Sequence, residues 1–143
     1  MNISNIMTAP VVTVGLDDSL LDVKDIFDQS QIRHLIVVEE NQLFGIVSER
    51  DLLRRISPYL LTHIYSTRDL ASLNQRVHQI VTRKPLSLTI HSDAYAAVAL
   101  FKSKKIGCIP IVDDDNRPVG IVTRSDILRH FNDICCAISP KGG

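Results

Sequence analysis

The chain has 143 residues, and its 16 basic and 16 acidic side chains give a formal net charge of zero. Hydrophobic residues make up 45% of the chain and charged residues 22%, which is the composition of an ordinary folded domain and argues against disorder. A neutral chain without a basic stripe also argues against nucleic acid as a partner, because that binding depends on Lys and Arg neutralising phosphates.

Membrane insertion and secretion are also disfavoured. The longest unbroken apolar run is the eight residues Ala94–Phe101, whereas a membrane span needs about 20. The first basic side chain is Lys24, so the charged start of a secretion signal is missing. Three cysteines, Cys108, Cys135 and Cys136, form no CxxC motif and leave one unpaired. We therefore expect a cytoplasmic protein with no membrane partner.

The first 57 residues predict a β-α-β-β-α unit. Apolar residues at helical spacing indicate a helix that begins at Asp18 or Ser19, and a second helix is expected to start at Ser48. Leu35–Val38 is an aliphatic run too short for a helix and indicates a buried strand, with a hairpin partner after it and a short strand-like run before the first helix. These predicted strands are Val11–Val14, Leu35–Val38 and Gln42–Val47.

The same unit occurs a second time. The segment Gly45–Arg54, GIVSERDLLR, returns 75 positions later as Gly120–Arg129, GIVTRSDILR. We therefore predict an α+β fold of two tandem β-α-β-β-α repeats with pseudo-twofold symmetry and small sheets flanked by helices. In the second unit the predicted strands lie near Leu86–Leu88 and at Ile109–Val112 and Val119–Val122, with helices from Ser92 and after Thr123.

The predicted organisation is a first repeat at 1–57, a connector at 58–79, a second repeat at 80–131 and a tail at 132–143. In the connector, Thr67 is expected to open a helix that packs on the core, with a regulatory latch as the alternative; its apolar stripe is Leu70, Leu73, Val77 and Ile80. The tail, with Cys135 and Cys136, is expected to be loosely ordered. Asp113–Asp115 is expected to be a solvated hairpin turn, not a metal loop.

The repeated unit resembles a cystathionine-β-synthase (CBS) domain in its β-α-β-β-α order, in the strand Arg33–Val38, RHLIVV, and in the turn Gly45–Asp51, GIVSERD. Two tandem copies resemble a CBS pair, or Bateman module, over about residues 6–131. The resemblance implies a regulatory module that binds an adenosyl compound such as AMP, ADP or ATP in clefts between the repeats, needs no other cofactor and forms a homodimer through helix faces. Because few residues lie outside the repeats, a stand-alone module that senses adenine nucleotides is expected.

The resemblance assigns ribose binding to a motif that both repeats keep, as Ser48 with Asp51 and as Thr123 with Asp126. A carboxylate one turn after a capping hydroxyl can accept both hydroxyls of a cis-diol. The N-terminus of the helix also favours a nearby anion. The competing interpretation is a capping box, in which the carboxylate bonds back to the cap, although such boxes prefer Glu or Gln.

The expected phosphate contacts differ between the two repeats. The resemblance places them at Arg33 and His34, with a solvated Arg and a structural His as the alternatives. The second repeat has Gly107 and Cys108 there, and Arg124, with Arg83 and Lys84, could compensate. The adenine is expected to contact the segments Thr8–Val12 and Thr82–Leu86, at residues Thr8, Val12, Thr82 and Leu86.

Enzymatic chemistry is not indicated. The chain has no GxGxxG or P-loop lysine motif, its five His lack metal-ligand spacing, and no nucleophile–base pair is visible. We therefore expect a protein that is not an enzyme and holds no metal. A structural interaction dimer with vestigial clefts is the rival interpretation. The apolar pairs Leu52/Leu53 and Ile127/Leu128, next to the two motifs, could couple dimerisation to binding.

Overall fold

The structure is a computed structural model that describes residues 1–56 and 74–138. The chain forms two compact units. Val12–Lys84 make up the middle unit, and Met1–Val11 with Pro85–Gly143 make up the terminal unit. Each unit has its own sheet and its own hydrophobic core.

The middle unit contains a sheet in the order β1-β2-β3-β4, in which β1 is parallel to β2 and the other pairs are antiparallel. The cap of the first helix is Ser19, whose hydroxyl accepts the N–H of Asp22 at 3.2 Å. Asp18, the other expected cap, instead accepts the N–H of Gly15 at 2.7 Å. The elements are β1 (Thr13–Gly15), α1 (Leu20–Gln29), β2 (His34–Glu39), β3 (Gln42–Ser48), α2 (Glu49–Arg55), a 3-10 helix (Val77–Gln79) and β4 (Thr82–Arg83).

The terminal unit repeats this plan with the sheet order β5-β6-β7. Its first α-helix begins after Asp93, whose Oδ1 accepts the N–H of Tyr95 at 2.8 Å, so the helix starts slightly later than the predicted Ser92. The elements are a 3-10 helix (Ile3–Asn5), β5 (Leu88–Thr89), α3 (Ala94–Ser103), β6 (Cys108–Val112), β7 (Pro118–Thr123), α4 (Arg124–Arg129) and α5 (Phe131–Ile138).

Apolar residues at helical and strand spacing build both cores. In the middle unit one face of α1 packs with inward residues of β2 and β3, and the fully buried members include Leu20, Val23, Leu35, Val37 and Val47. In the terminal unit β6 is buried along its whole length. The aliphatic runs Leu35–Val38 and Ile109–Val112 are therefore interior strands, as predicted, because burial on both faces requires continuous apolar residues. The predicted strand Val11–Val14 differs, since β1 begins only at Thr13 and Val12 is exposed.

Each sheet is extended by a segment that the repeat boundaries assign to the other repeat. Thr82, at the start of the second repeat, pairs with Ile46 of β3. Thr8, at the start of the first repeat, forms a bridge with Ile121 of β7 through backbone bonds of 2.8 and 3.0 Å. The predicted boundaries 1–57 and 80–131 therefore do not coincide with the compact units, because these two short segments are exchanged.

The close approach of the exchanged segments explains a glycine in each copy of the motif. A Cβ on Gly45 would overlap the backbone carbonyl of Thr82. A Cβ on Gly120 would overlap the side chain of Met7. Glycine at these positions therefore lets a second chain segment lie against β3 and β7.

Two expectations need correction. The predicted connector helix lies outside the described residues up to position 73, and Val77 lies in a 3-10 helix, not in a continuing α-helix. Val77 is nevertheless fully buried in the core of the middle unit. The tail is not loosely ordered as far as residue 138, because α5 covers it and buries Ile134 in the terminal core. Cys135 and Cys136 on this helix are exposed free thiols.

Candidate ligand-binding turns

Both copies of the Ser/Thr-x-x-Asp motif lie where a strand ends and a helix begins. We call Ser48–Asp51, between β3 and α2, the Asp51 turn, and Thr123–Asp126, between β7 and α4, the Asp126 turn. The first residue of each turn is the N-cap of its helix. In each turn the cap N–H donates to the Asp Oδ2, at 2.9 Å from Ser48 and 2.8 Å from Thr123. Both carboxylates therefore bond back to the N-cap residue, as in a capping box.

In the Asp51 turn the capping box is reciprocal. The N–H of Asp51 donates to the Oγ of Ser48 at 3.1 Å, while Asp51 Oδ2 accepts the N–H of Ser48. The side chain of Asp51 is half-buried. Its second oxygen, Oδ1, accepts no hydrogen bond from any residue that the structure describes. Capping therefore uses one oxygen and leaves the other for an incoming donor.

His34 lies beside this turn, because it pairs with Ser48 in the register of β2 and β3. Burial lowers the pKa of His34, and the negative charge of Asp51 opposes that change only in part. The imidazole is therefore neutral at neutral pH, with one nitrogen as donor and the other as acceptor. In this state His34 offers a ligand a hydrogen bond and no positive charge.

Arg33 is already paired. Its side chain is 72% exposed, and Nη1 lies 2.7 Å from Oε1 of Glu49, in the first turn of α2. The N–H of Glu49 also donates to the carbonyl of Arg33 at 2.9 Å. A shallow depression beside this pair is lined by Phe27, Asp28, Ser30, Gln31, Ile32, Arg33 and Glu49. A phosphate that used Arg33 would have to compete with Glu49.

The expected adenine contacts have different placements. Thr8 and Thr82 have their backbones paired with Ile121 and Ile46. Val12 and Leu86 are exposed apolar side chains.

The arginines that were expected to compensate for Gly107 and Cys108 lie over aromatic rings. The guanidinium of Arg83 lies 5.2 Å from the ring centre of Phe44, and that of Arg124 lies 5.7 Å from the ring centre of Phe101.

The Asp126 turn is different. Asp126 is 2% exposed and is the only charged side chain that is fully buried among the residues the structure describes. Its Oδ2 accepts the N–H and the hydroxyl of Thr123, at 2.8 and 3.2 Å. Its Oδ1 accepts the hydroxyl of Thr8 at 3.0 Å and Nη1 of Arg129 at 3.1 Å. Four donors from the protein therefore surround this carboxylate.

The position that corresponds to His34 carries a buried thiol in the terminal unit. Cys108 pairs with Thr123 in the register of β6 and β7. Burial raises the pKa of Cys108 to about 12, so the thiol stays protonated at neutral pH. Gly107 and Cys108 therefore place no cation beside the Asp126 turn.

Sequence reasoning missed three of these partners. Arg129 carries a weak signal, because it lies three residues after Asp126 on one helix face. Thr8 carries none, since it is 118 residues away in the chain. Glu49 was not expected to pair with Arg33, which is 16 residues before it.

Residues 1–56 and 74–138 contain neither a metal-binding cluster nor a membrane-spanning helix. No group of three or more His, Cys, Asp or Glu side chains in these ranges could hold a metal ion. Within the same ranges no helix is long and apolar enough to cross a membrane.

Comparison with known proteins identifies the family. The family model of the CBS domain matches residues 3–58 and 77–133, so this chain belongs to the CBS domain family. The resemblance and the two-repeat α+β fold are thereby confirmed. Protein MJ1225 of Methanocaldococcus jannaschii is 25% identical over 130 residues, which are 90% of this chain and 46% of that protein. The chain thus spans less than half the length of this relative.

Two solved complexes share the fold. The CBS domain pair of protein MJ0100, in complex with 5′-methylthioadenosine and S-adenosyl-L-methionine, has a TM-score of 0.72 at 27% identity; the match covers 93% of this chain and 97% of that chain. CBSX2 from Arabidopsis thaliana, in complex with AMP, has a TM-score of 0.75 at 23% identity, with the same coverage.

Proposed function

We propose that the protein is a regulatory module that binds an adenosyl ligand by its ribose at the Asp51 turn, with AMP, ADP and ATP as the leading candidates. The observation that carries the proposal is the half-buried carboxylate of Asp51, whose Oδ1 accepts no hydrogen bond within the described part of the chain. A vicinal diol supplies two donors for such an acceptor. The bound ligands of the MJ0100 and CBSX2 structures are all adenosyl compounds.

The neighbouring side chains give each part of the ligand a partner. Asp51 accepts the ribose hydroxyls, and Ser48 keeps the turn in place through the reciprocal cap. His34 donates a hydrogen bond to a phosphate oxygen, and Arg33 turns from Glu49 toward the phosphate. Thr82 lies against β3 of the same unit, where its main chain can contact the adenine.

Regulation would follow from population shift. A ligand that binds one arrangement of the protein more tightly than another increases the population of that arrangement, which a partner protein can read. Without such differential affinity, binding shifts nothing. This mechanism suits a protein that senses adenine nucleotides and transmits the signal without chemistry of its own. We propose a cytoplasmic location, for which the cysteine content is the support.

A homodimer is proposed on the exposed apolar residues of the helices that follow the turns. In each apolar pair one residue faces inward: Leu52 is buried and Ile127 is partly buried against the terminal core. Their neighbours Leu53 and Leu128 are exposed, Leu128 by 74%. Sedimentation equilibrium at several protein concentrations tests this assembly, and a concentration-independent monomer would contradict it.

The function is tested by thermal denaturation with adenosine, AMP, ADP, ATP, 5′-methylthioadenosine and S-adenosylmethionine, with GMP as the control for the base. A ligand present at 100 times its dissociation constant should stabilise the protein by about 2.7 kcal/mol. Calorimetry then gives affinity and stoichiometry. If none of the adenosyl compounds raises the melting temperature, the proposal is wrong and the structural interaction dimer is favoured.

A further inference from the structure

The two turns differ in how many further hydrogen bonds their carboxylates can accept. A carboxylate offers about four lone-pair positions. At Asp126 four donors from the protein already occupy them, two on each oxygen. A ribose diol could bind there only by displacing the hydroxyl of Thr8 and the guanidinium of Arg129 from Oδ1.

Thr8 is not free to move away. The backbone of Thr8 is bonded to Ile121 in both directions. Ile3 and Ile6, in the same N-terminal segment, are fully buried in the core of the terminal unit. The backbone of Thr8 therefore stays beside Asp126, and turning only its exposed hydroxyl away would leave Oδ1 of a buried carboxylate short of one donor.

The corresponding residues of the middle unit make no such contacts. Thr82 occupies the position of Thr8 and Arg54 that of Arg129, by the spacing of the repeats. Among the described residues, neither donates a hydrogen bond to Asp51. Both are exposed. The Asp51 turn thus has the same bond from the cap N–H to the Asp Oδ2 and lacks the donors that correspond to Thr8 and Arg129.

We propose that the protein binds one ribosyl ligand per chain, at the Asp51 turn, and that Asp126 instead anchors the N-terminal segment to the terminal unit through Thr8. This inference rests on the proposed function for its first half. Its second half concerns the fold alone and can be tested without any ligand.

The ligand half is tested by calorimetry of the full chain with AMP and, separately, with 5′-methylthioadenosine. The expected stoichiometry is one per chain. Asp51→Asn should weaken binding at least about tenfold, since loss of a charged acceptor costs on this order. Asp126→Asn should change the affinity less than about threefold, below the effect of one ordinary hydrogen bond. Two sites per chain, or loss of binding in Asp126→Asn folded as wild type, would overturn the single-site assignment and leave the proposed function standing.

The anchor half is tested by hydrogen exchange in Thr8→Val, with Thr82→Val as the matched control. Thr8→Val should speed exchange of the Thr8 and Ile121 amides about fivefold, as expected when one hydrogen bond is lost. Thr82→Val should leave the Ile46 region within about twofold of wild type. Equal effects of the two substitutions on amide exchange would contradict the proposal that Asp126 anchors the N-terminal segment through Thr8. If neither probe binds the wild type, the ligand half fails, thermal denaturation with the six adenosyl compounds decides the proposed function separately, and the exchange experiment still decides whether Thr8 anchors the N-terminal segment.

Discussion

The Asp51 and Asp126 turns share the Ser/Thr-x-x-Asp motif and the bond from the cap N–H to the Asp Oδ2, yet they differ in how much of the carboxylate remains accessible. In each, the cap N–H donates to Oδ2 at almost the same distance. The difference comes from residues outside the motif, because Thr8 and Arg129 reach Oδ1 of Asp126. The motif therefore determines the helix start, and its surroundings determine whether a ligand can use the carboxylate.

The largest expected difference between the turns is in stability. Asp126→Asn replaces an acceptor of four bonds with an amide whose NH2 group faces donors, so we expect a loss of about 2–3 kcal/mol. Asp51→Asn weakens one capping bond and should cost about 1 kcal/mol or less. Urea denaturation of both variants measures the difference. Equal losses would show that the four donors at Asp126 add nothing to the cap.

The two motif glycines should also respond unequally to substitution. In Gly45→Ala the new methyl group meets the backbone carbonyl of Thr82, which cannot move without shifting β4. Such overpacking costs about 1–3 kcal/mol, and we expect the upper part of that range. In Gly120→Ala the methyl group meets the flexible side chain of Met7, so a loss of about 1 kcal/mol is expected. Denaturation midpoints check this, and a larger loss in Gly120→Ala would contradict it.

Much of the local structure was predictable from the sequence. Ser19 and Ser48 are helix caps because their hydroxyls accept N–H groups three residues ahead, and the apolar runs became buried strands. The partners of Asp126 were not predictable, because the bridge of Thr8 to β7 depends on tertiary pairing. The α5 helix was missed because, among its residues 131–136, only Ile134 is buried in the core. The helix caps could therefore be predicted from residue spacing, whereas the available Oδ1 of Asp51 could not.

Ribose recognition at the Asp51 turn should appear as discrimination between AMP and 2′-deoxy-AMP. Loss of one donor leaves an acceptor without a partner, so the deoxy compound should bind more weakly by about 1–2 kcal/mol. In Asp51→Ala the discrimination should disappear, whereas in Asp126→Asn it should persist. Calorimetric affinities of both ligands for the three proteins provide the measurement. Equal affinity of the wild type for AMP and 2′-deoxy-AMP would contradict the ribose assignment.

The positions of His34 and Cys108 predict a pH dependence confined to the middle unit. Because burial lowers the pKa of His34 in the folded state, the unfolded chain binds more protons as the pH falls below about 6.5. The free energy of unfolding is therefore highest above about pH 6.5 and decreases as the pH falls through the lowered pKa of His34. Cys108, with a pKa of about 12, contributes no such change. Hydrogen exchange at about pH 7.5 and about pH 5.5 should show selective loosening of the middle unit that His34→Gln reduces.

The smallest expected effect concerns the ion pair beside the Asp51 turn. Arg33 is largely exposed and already bonded to Glu49, so its contribution to phosphate binding should be less than about 1 kcal/mol. Arg33→Ala should weaken AMP binding about threefold and leave adenosine binding unchanged. Glu49→Gln, which frees Arg33, should have the opposite effect on AMP and the same lack of effect on adenosine. Both changes should shrink at high salt, because an exposed contact is screened. If Arg33→Ala binds AMP and adenosine as the wild type does, Arg33 is a surface residue and the ligand phosphate lies elsewhere.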